Sequence, residues 1–336
     1  MMFTHTLMAQ LSITEDETHP NRQFVTESHG LTNPLVSVVI TTKNRSRFLR
    51  EAIESVLSVE RQGFDLEVIV VDDGSTDDTL EVIQAYPVKV LRLNGVGMVQ
   101  ARNAGFQKAQ GSFVTLLDDD DVWMPNNIKL HLELFRQHPE FGAVHAQSQL
   151  VLEDKTPFGQ PVPEGPLRSG WIFKDLLSYF PQVGTILTRT EVAREAGEMD
   201  PKLTGDADWD WLLRIAKRHQ IGTIEQPVLL FRQRDHAVEE LSWRRFPAMA
   251  KIFHHHTRSL GLLERLSLEP ILWRHRGAWA SGFLRAAQTN YVNGERKRAY
   301  RSMYYAFLCS PPHAVYNCLR SWPLKTPQAA KKHNIS

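Results

Sequence analysis

Four consecutive aspartates, Asp118 to Asp121, follow a short apolar run in the stretch TLLDDDDVWMP. Two carboxylates about 4 Å apart repel by about 4 kcal/mol at an effective dielectric constant near 20, so a fold that gathers them normally supplies positive charge. An EF-hand calcium loop starting at Asp118 would need Gly and Glu where Trp123 and Lys129 stand. The run therefore predicts a site for some other positive group.

A second acidic cluster, Asp72 and Asp73, precedes Gly74 at the end of another apolar run in VVDDGSTDDT. A carboxylate there can accept a hydrogen bond from the imide nitrogen of a uracil ring or from a ribose hydroxyl. Ser75 or Thr76 is expected to cap the helix that follows. This cluster therefore predicts a contact with a nucleoside.

The glycines of NGVGMVQARNAG do not have the G-x-G-x-x-G spacing of a dinucleotide site, because Gln100 takes the third place. The chain also has no G-x-x-x-x-G-K-[ST] phosphate-binding loop. A bound phosphate would therefore have to be neutralised by a divalent cation, with Arg102 as a candidate side chain beside it.

The apolar runs that carry these clusters alternate with helical stretches. Four runs are predicted as strands, at residues 35–42, 66–71, 88–93 and 112–117. This alternation predicts an α/β fold with a mostly parallel sheet and helices on both faces. Ligands bind such sheets outside the carboxyl ends of the strands. The segments TTKNR, DDGSTDD and DDDD follow the first, second and fourth strands, so we expect them to meet at one rim.

The composition is that of a globular chain of 336 residues, 42% hydrophobic and 23% charged. No stretch approaches about 18 apolar residues, and the first residues lack the features of a signal peptide, which predicts a cytoplasmic location. Two cysteines, Cys309 and Cys318, fit a reducing compartment. The net charge of +1 hides an asymmetry: residues 270–336 hold 11 Lys and Arg against one Glu, which is +10, and leave −9 for the remainder. An acidic sheet half without a base-stacking motif argues against nucleic-acid binding.

The stretches SVVITTKNR, EVIVVDDGSTDDT, GMVQARNAG and LLDDDDVWMP together resemble the N-terminal half of the family 2 glycosyltransferases, the large inverting group with the GT-A fold. The later stretch GTILTRTEVAREAGEMDPKLTGDADWDWLLRIAKR resembles that family's acceptor-side block. The resemblance covers about residues 35–235. It implies a nucleotide-sugar donor, with UDP-sugar favoured, and a glycan or lipid-linked acceptor in polysaccharide or cell-envelope glycan biosynthesis.

The resemblance also implies roles for single residues around the donor. Asp118 and Asp120 match the D-x-D pair that holds Mn²⁺ or Mg²⁺ on the diphosphate, and Asp120 is the favoured direct ligand. The residues that the resemblance places near the nucleotide are Thr41 and Asp73 at the uracil or ribose, Asp72 beside them, Arg102, and Asp118.

The catalytic base implied by the resemblance is Asp208, six residues before Arg214. It would remove the proton of the acceptor hydroxyl as that oxygen attacks the anomeric carbon. One departure from the family pattern is Ala207, where the family often has Glu. Either Asp206 takes the role of the missing Glu, or this chain has no acid in that role.

Three parts of the chain are predicted: a flexible lead-in at 1–34, a GT-A catalytic domain at 35–235 and a basic, aromatic helical region at 236–336. Two other functions stay open. A catalytically silent nucleotide-sugar-binding protein is consistent with Ala207. A sugar nucleotidyltransferase can share the sheet, although TTKNRSRF does not supply the Gly- and Arg-rich loop that it needs.

Residues outside these motifs have alternative interpretations. Consecutive helical side chains point about 100° apart, so the histidines at 254–256 are expected to be solvated or packed rather than to share a metal. His236 is either a diphosphate or metal contact or an ordinary loop histidine. Trp209 and Trp211 lie either in an acceptor cleft or in the core. The Pro- and Gly-rich stretch 154–170 is expected to be a long loop, as in lids and acceptor-binding loops.

The basic region 270–336 also contains ten aromatic residues between Trp273 and Trp322 and is predicted to form a helix pair with a turn at Asn293 and Gly294. Either its aromatic side chains are buried as a soluble cap, or a basic aromatic face rests on an anionic cytoplasmic leaflet. The second interpretation predicts peripheral, salt-sensitive membrane contact without a spanning helix.

Overall fold

The computed structural model describes residues 33–203, 206–233, 248–312, 314 and 315. The predicted lead-in at 1–34 and His236 therefore lie outside the described residues, apart from residues 33 and 34. The described strands form one eight-stranded sheet in the order β3-β2-β1-β4-β7-β6-β8-β5. The strands are β1 Leu35–Thr42, β2 Asp65–Asp72, β3 Lys89–Arg92, β4 Phe113–Asp118, β5 Val122–Trp123, β6 Phe141–Val151, β7 Ile186–Arg189 and β8 Gln220–Arg232.

The first half of the sheet, β3-β2-β1-β4, is entirely parallel. Its strands agree with the four predicted runs within one residue at each end. Side chains along β1 alternate between two core clusters, since Val39 packs on one face and Val38 and Ile40 on the other. Burial on both faces explains why these strands are short runs of β-branched residues. The predicted mostly parallel α/β sheet is confirmed.

The second half of the sheet is mixed. Strand β7 runs antiparallel to β4 and β6, β8 runs parallel to β6, and the two-residue β5 runs antiparallel to β8. Six of the eight described strands thus point the same way. The ladder between β6 and β8 contains register irregularities between Phe141 and Ser148.

Helices cover both faces of the sheet. One core cluster holds side chains of α1 and α4, and the other holds side chains of α3, α6 and α7. The helices are α1 Ser46–Leu57, α2 Thr79–Gln84, α3 Met98–Lys108, α4 Asn127–Gln137, α5 Phe173–Leu176, α6 Thr190–Ala196, α7 Ala207–Ala216, α8 at 248–257, α9 Leu262–Val292 and α10 Arg296–Cys309.

The C-terminal helices join the sheet core and then form a hairpin of their own. Met249, Phe253 and Leu272 belong to the same core cluster as α7, so this core contains side chains from both sides of the predicted boundary at residue 235. The later part of α9 packs on α10 in a separate small cluster. The predicted turn is confirmed, since Gly294 has φ of +80° between the two helices. No helix within the described ranges is long and apolar enough to cross a membrane.

Candidate active site

The three polar segments meet at the carboxyl ends of neighbouring strands, as predicted. In the ladders of the parallel half, Thr41 lies opposite Asp118 of β4, and Thr42 lies opposite Asp72 of β2. The loops after β1 and β2 are also joined, because the Asn44 N–H donates to Ser75 Oγ at 2.9 Å. One rim therefore carries all three clusters.

Asp119 is directed into this rim and buried. Thr42 Oγ1 donates to it at 2.7 Å, and Arg45 Nη1 donates to its other oxygen at 2.8 Å. Burial raises the pKa of Asp119 to about 6, and Arg45 opposes that rise. Asp119 thus ties the acidic loop to the end of β1.

Asp121 is also buried, on the side of the loop that faces β8. The backbone N–H of Arg232 donates to it at 2.9 Å, and burial raises the pKa of this carboxyl well above its usual range. The Arg232 guanidinium donates to the backbone oxygen of Asp120 at 2.9 Å and to Glu51 of α1 at 2.8 Å. Arg232 therefore joins β8, α1 and the acidic loop.

The remaining two carboxylates, Asp118 and Asp120, are less deeply buried, with 30% and 14% of their side-chain surface exposed. Asp118 accepts a hydrogen bond from Arg102 Nη2 at 2.5 Å, whereas the Asp120 carboxylate lies 3.4 Å from Arg45 Nη1. Three arginines, Arg45, Arg102 and Arg232, thus supply positive charge among the four aspartates. The sequence prediction missed Arg45 and Arg232, although Arg45 lies within the TTKNR segment.

These carboxylates fit a divalent cation only as part of a larger ligand set. The described ranges contain no group of three or more His, Cys, Asp or Glu residues able to hold a metal. Mg²⁺ is commonly bound by one or two carboxylates together with substrate phosphates and water. Asp118 and Asp120 match that donor chemistry, and the metal stays a prediction.

The two aspartates after β2 shape the loops around them. Asp72 is fully buried, and the Ser75 N–H donates to it at 2.9 Å. Asp73 accepts hydrogen bonds from the N–H groups of Val96 at 2.7 Å and Gly97 at 3.0 Å, just before α3. Both carboxylates therefore organise the rim, and their predicted contacts with a nucleoside stay predictions.

The expected capping of α2 by Ser75 or Thr76 is wrong. The N-cap residue is Asp78, without a side-chain capping bond. Ser75 and Thr76 instead bond Asn44, whose side-chain oxygen accepts the Thr76 N–H at 2.8 Å. Their hydrogen bonds therefore join two loops of the rim rather than ending a helix.

Arg102 joins the acidic loop to the predicted base. It is buried on α3, and its Nη1 lies 3.4 Å from Asp208 at the start of α7. Burial lowers the pKa of Arg102, but Asp118 and Asp208 outweigh it, so the pKa is raised overall. Gly105, one turn later, lets α3 lie against β1, because an added Cβ would overlap Val39. One guanidinium therefore links both sides of the candidate site.

The part of the chain that forms this rim is similar to a known protein family. The family model for Glycosyl transferase family 2 matches residues 37–192, which include β1 from its third residue, the strands β2 to β7 and the acidic loop. The chain carries a family 2 glycosyltransferase domain. Its sheet is the GT-A fold that the resemblance implied.

Relatives of this glycosyltransferase domain are similar over part of their length. An uncharacterised glycosyltransferase of Nostoc sp. is 33% identical over 177 residues, which are 49% of this chain and 54% of that protein. The similar region covers about a third or less of the length of three glycosyltransferase relatives from Rickettsia species.

Two solved structures share the fold at low identity. S. aureus TarS 1-349 in complex with UDP-GlcNAc has a TM-score of 0.53 and 16% identity, covering 81% of this chain and 91% of that one. The mannosyltransferase PcManGT from Pyrobaculum calidifontis, in complex with GDP-Man and Mn²⁺, has a TM-score of 0.58 and 17% identity, covering 88% and 89%. At this identity, the likeness concerns the fold alone.

Within the glycosyltransferase domain, the start of α7 separates the two candidate acids. Asp206 is buried at the N-cap position, and its backbone oxygen accepts the Asp210 N–H at 3.2 Å. Asp208 faces Arg102 and accepts the Trp209 N–H at 2.9 Å. Asp208 is therefore the better placed of the two for a role at the rim.

The two tryptophans of α7 belong to the core rather than to a cleft. Trp209 and Trp211 are both buried, and Trp209 Nε1 donates to the Leu176 oxygen at 2.8 Å. Asp210, on the same helix, accepts hydrogen bonds from Arg214 Nε at 3.0 Å and His256 Nε2 at 2.8 Å. Of the three consecutive histidines, His256 thus packs on the helix that carries Asp208.

Proposed function

We propose that this protein is a metal-dependent, inverting glycosyltransferase that transfers a sugar from a UDP-sugar to an acceptor hydroxyl in polysaccharide or cell-envelope glycan biosynthesis. The observation that carries this proposal is the position of Arg102, 2.5 Å from Asp118 and 3.4 Å from Asp208. The residue predicted at the diphosphate and the residue predicted as base thus each pair with one terminal nitrogen of the same guanidinium.

On the donor side, the proposed contacts lie at the ends of β1 and β2. Thr41 and Asp73 would bind the uracil or ribose, and buried Asp72 would hold the turn that presents them. The two solved neighbours, one in complex with UDP-GlcNAc and the other with GDP-Man, support a nucleotide-sugar donor for this chain. The choice of uridine rests on Asp73.

Asp118 and Asp120 would hold Mn²⁺ or Mg²⁺ together with the diphosphate oxygens. The bound cation would supply Lewis-acid neutralisation of the leaving nucleotide. Arg102 adds a fixed positive charge beside Asp118. Arg45 and Arg232 hold the rest of the acidic loop in place, so the rim is organised before the donor arrives.

On the acceptor side, Asp208 would accept the proton of the attacking hydroxyl. The acceptor oxygen then forms a bond to the anomeric carbon as the bond from that carbon to the nucleotide oxygen breaks, and the electron pair leaves with the nucleotide. A single displacement inverts the anomeric configuration and needs no nucleophile from the protein. We propose a glycan or a lipid-linked molecule as the acceptor, bound at the cytoplasmic face of a membrane.

Donor hydrolysis by the purified chain tests this proposal. UDP-sugars and GDP-mannose are incubated with Mn²⁺, with Mg²⁺ or with chelator, and the released sugar is followed by NMR before its anomers equilibrate. We expect metal-dependent release from a UDP-sugar, with the inverted anomer formed first.

Two outcomes would contradict the proposal. Tight nucleotide-sugar binding without hydrolysis of any donor would identify a silent binding protein. Formation of a nucleotide sugar in a parallel incubation with a sugar phosphate and a nucleoside triphosphate would identify a nucleotidyltransferase.

A further inference from the structure

The outward face of α10 carries a stripe of large apolar side chains. Tyr300, Tyr304, Phe307 and Leu308 are 47% to 60% exposed. Their spacing of i, i+4, i+7 and i+8 places them on one side of the helix. The opposite side is small and packs on α9; its buried residues are Ala299, Ser302, Ala306 and Cys309.

Positive charge flanks this stripe. Arg296, Lys297 and Arg301 are all exposed, and the sequence of α10 contains no acidic residue. The one neighbouring acid, Glu295, pairs with Arg298 at 2.7 Å. The outward face of α10 is therefore apolar along its middle and cationic at its edges.

We propose that this α10 face rests on an anionic membrane surface. A helix with Lys and Arg beside aromatic and aliphatic residues lies in the membrane interface, where tyrosine favours the headgroup level. The charge of +10 over residues 270–336 complements acidic phospholipids and would repel a second copy of the same region. Membrane contact serves a lipid-linked acceptor, which is the part of the proposed function on which this proposal rests.

The start of α9 provides a contrast within the same hairpin. Leu262, Leu263 and Leu266 are 58% to 83% exposed, so they are at least as open as the α10 stripe. Their charged neighbours are Glu264, Arg265 and Glu269, which sum to −1. If charge selects the membrane-facing surface, this leucine patch is not part of it.

Vesicle co-sedimentation of the full chain tests the proposal. Vesicles of phosphatidylcholine alone are compared with vesicles that contain equal amounts of phosphatidylglycerol and phosphatidylcholine, at low and high salt. The charge variant is Lys297→Gln with Arg301→Gln, the stripe variant is Tyr304→Ser with Phe307→Ser, and the matched control is Leu262→Ser with Leu266→Ser.

We expect binding only to the anionic vesicles, weakened by salt. The charge variant should lower the partition coefficient about 30-fold, or about five-fold for each cation lost. The stripe variant should lower it about ten-fold or more, because two aromatic side chains no longer enter the interface. The leucine control should bind as the wild type does.

Several outcomes would overturn the proposal: equal binding to neutral vesicles, no binding to either kind, or the same loss in the leucine control. A concentration-dependent dimer that only the stripe variant abolishes would instead assign the surface to a second copy. UDP affinity, measured by calorimetry, should be unchanged in all three variants. Failure of the wild type to bind UDP would contradict the proposed function. The vesicle measurement does not depend on UDP, so it would still test the membrane proposal.

Discussion

The two halves of the sheet bury different kinds of polar group. At the ends of β1, β2 and β4, the buried groups take part in ion pairs, such as the carboxylate of Asp119 with Arg45 and the guanidinium of Arg102 with Asp118. In the half that contains β6 to β8, a principal buried titratable group is His145, whose pKa is lowered to about 4 by burial. The rim, which includes Arg232 at the end of β8, thus holds fixed charges, whereas His145 in the middle of β6 is neutral at physiological pH.

This difference indicates where ligand chemistry is expected. Ion pairs in a protein interior seldom add net stability over well-packed apolar residues, because desolvation of both charges is costly. A fold that keeps Arg102 buried between Asp118 and Asp208 therefore holds charge in a place where a charged ligand can use it. The neutral His145 carries no comparable cost of charge desolvation.

The largest effect is expected from removal of the charge on Arg102. Arg102→Met leaves Asp118 and Asp208 without their shared partner, which should lower the free energy of unfolding by about 3–5 kcal/mol. Denaturant unfolding monitored by circular dichroism measures this change. The exposed pair of Arg47 with Glu153, at 3.2 Å, is the control.

Arg47→Met should cost no more than about 1 kcal/mol, since exposed ion pairs contribute little. Equal effects of the two substitutions would remove the distinction between fixed charge at the rim and ordinary surface charge. Arg102→Lys should recover part of the lost stability, because one cation returns to the same place.

The next effect concerns turnover. Asp208→Asn should keep donor affinity but lower turnover by about 100-fold or more, the usual scale for loss of a positioned general base. Asp210→Asn is the matched control on the same helix. It should lower the melting temperature, because it weakens the contacts with Arg214 and His256, and should leave turnover of the folded protein much closer to wild type.

Asp206, the alternative candidate for the base, provides the result that would contradict this prediction. If Asp206→Asn loses turnover and Asp208→Asn behaves as wild type, the acceptor-side block is assigned two residues out of place. The linkage through Arg102 would then not concern catalysis.

At neutral pH the smallest effect is expected at His145 of β6, where the change in stability is confined to acid pH. Thr223 Oγ1 donates to the Arg168 oxygen at 2.6 Å and lies 3.1 Å from His145 Nε2, so the ring N–H is placed on Nε2. Burial of the ring disfavours a second proton on the imidazole, and this effect outweighs the opposing contribution of the Ala146 backbone. The folded protein therefore resists protonation of His145.

The folded pKa of about 4 lies below the unfolded value near 6.5, so the contribution of His145 to stability is complete above pH 6.5 and is lost as the pH falls through 4. Wild type should lose about 3 kcal/mol from this group across that range. His145→Gln should have a flatter pH profile of unfolding free energy. Parallel profiles for the two proteins would show that His145 does not titrate in this way.

The same two halves differ in how far the sequence predicts them. The strands β1 to β4 could be predicted within a residue, because each is a β-branched run buried on both faces. Strand β6 contains the polar and small residues of GAVHAQSQL, and β5 has only two residues, so neither has a clear periodic signal. Their strand structure depends on pairing with distant segments.

At the site, the motif residues could be predicted but not all their partners. The acidic run indicated a need for positive charge, and the structure places three arginines there. Arg232 comes from 111 residues beyond Asp121, and nothing in local spacing links the two. The roles of Asp72 and Asp73 in holding loops depend on backbone N–H groups, which a sequence pattern does not reveal.

The central claim is that the rim binds a nucleoside diphosphate through a divalent cation on Asp118 and Asp120. Calorimetry of UDP binding to wild type and to Asp120→Asn, with Mn²⁺ and with chelator, tests it most directly. We predict that Mn²⁺ strengthens UDP binding to the wild type, that Asp120→Asn abolishes this metal dependence with the fold intact, and that Asp118→Asn weakens it less severely. Nucleotide affinity that is the same in wild type and both variants, with and without chelator, would contradict the account.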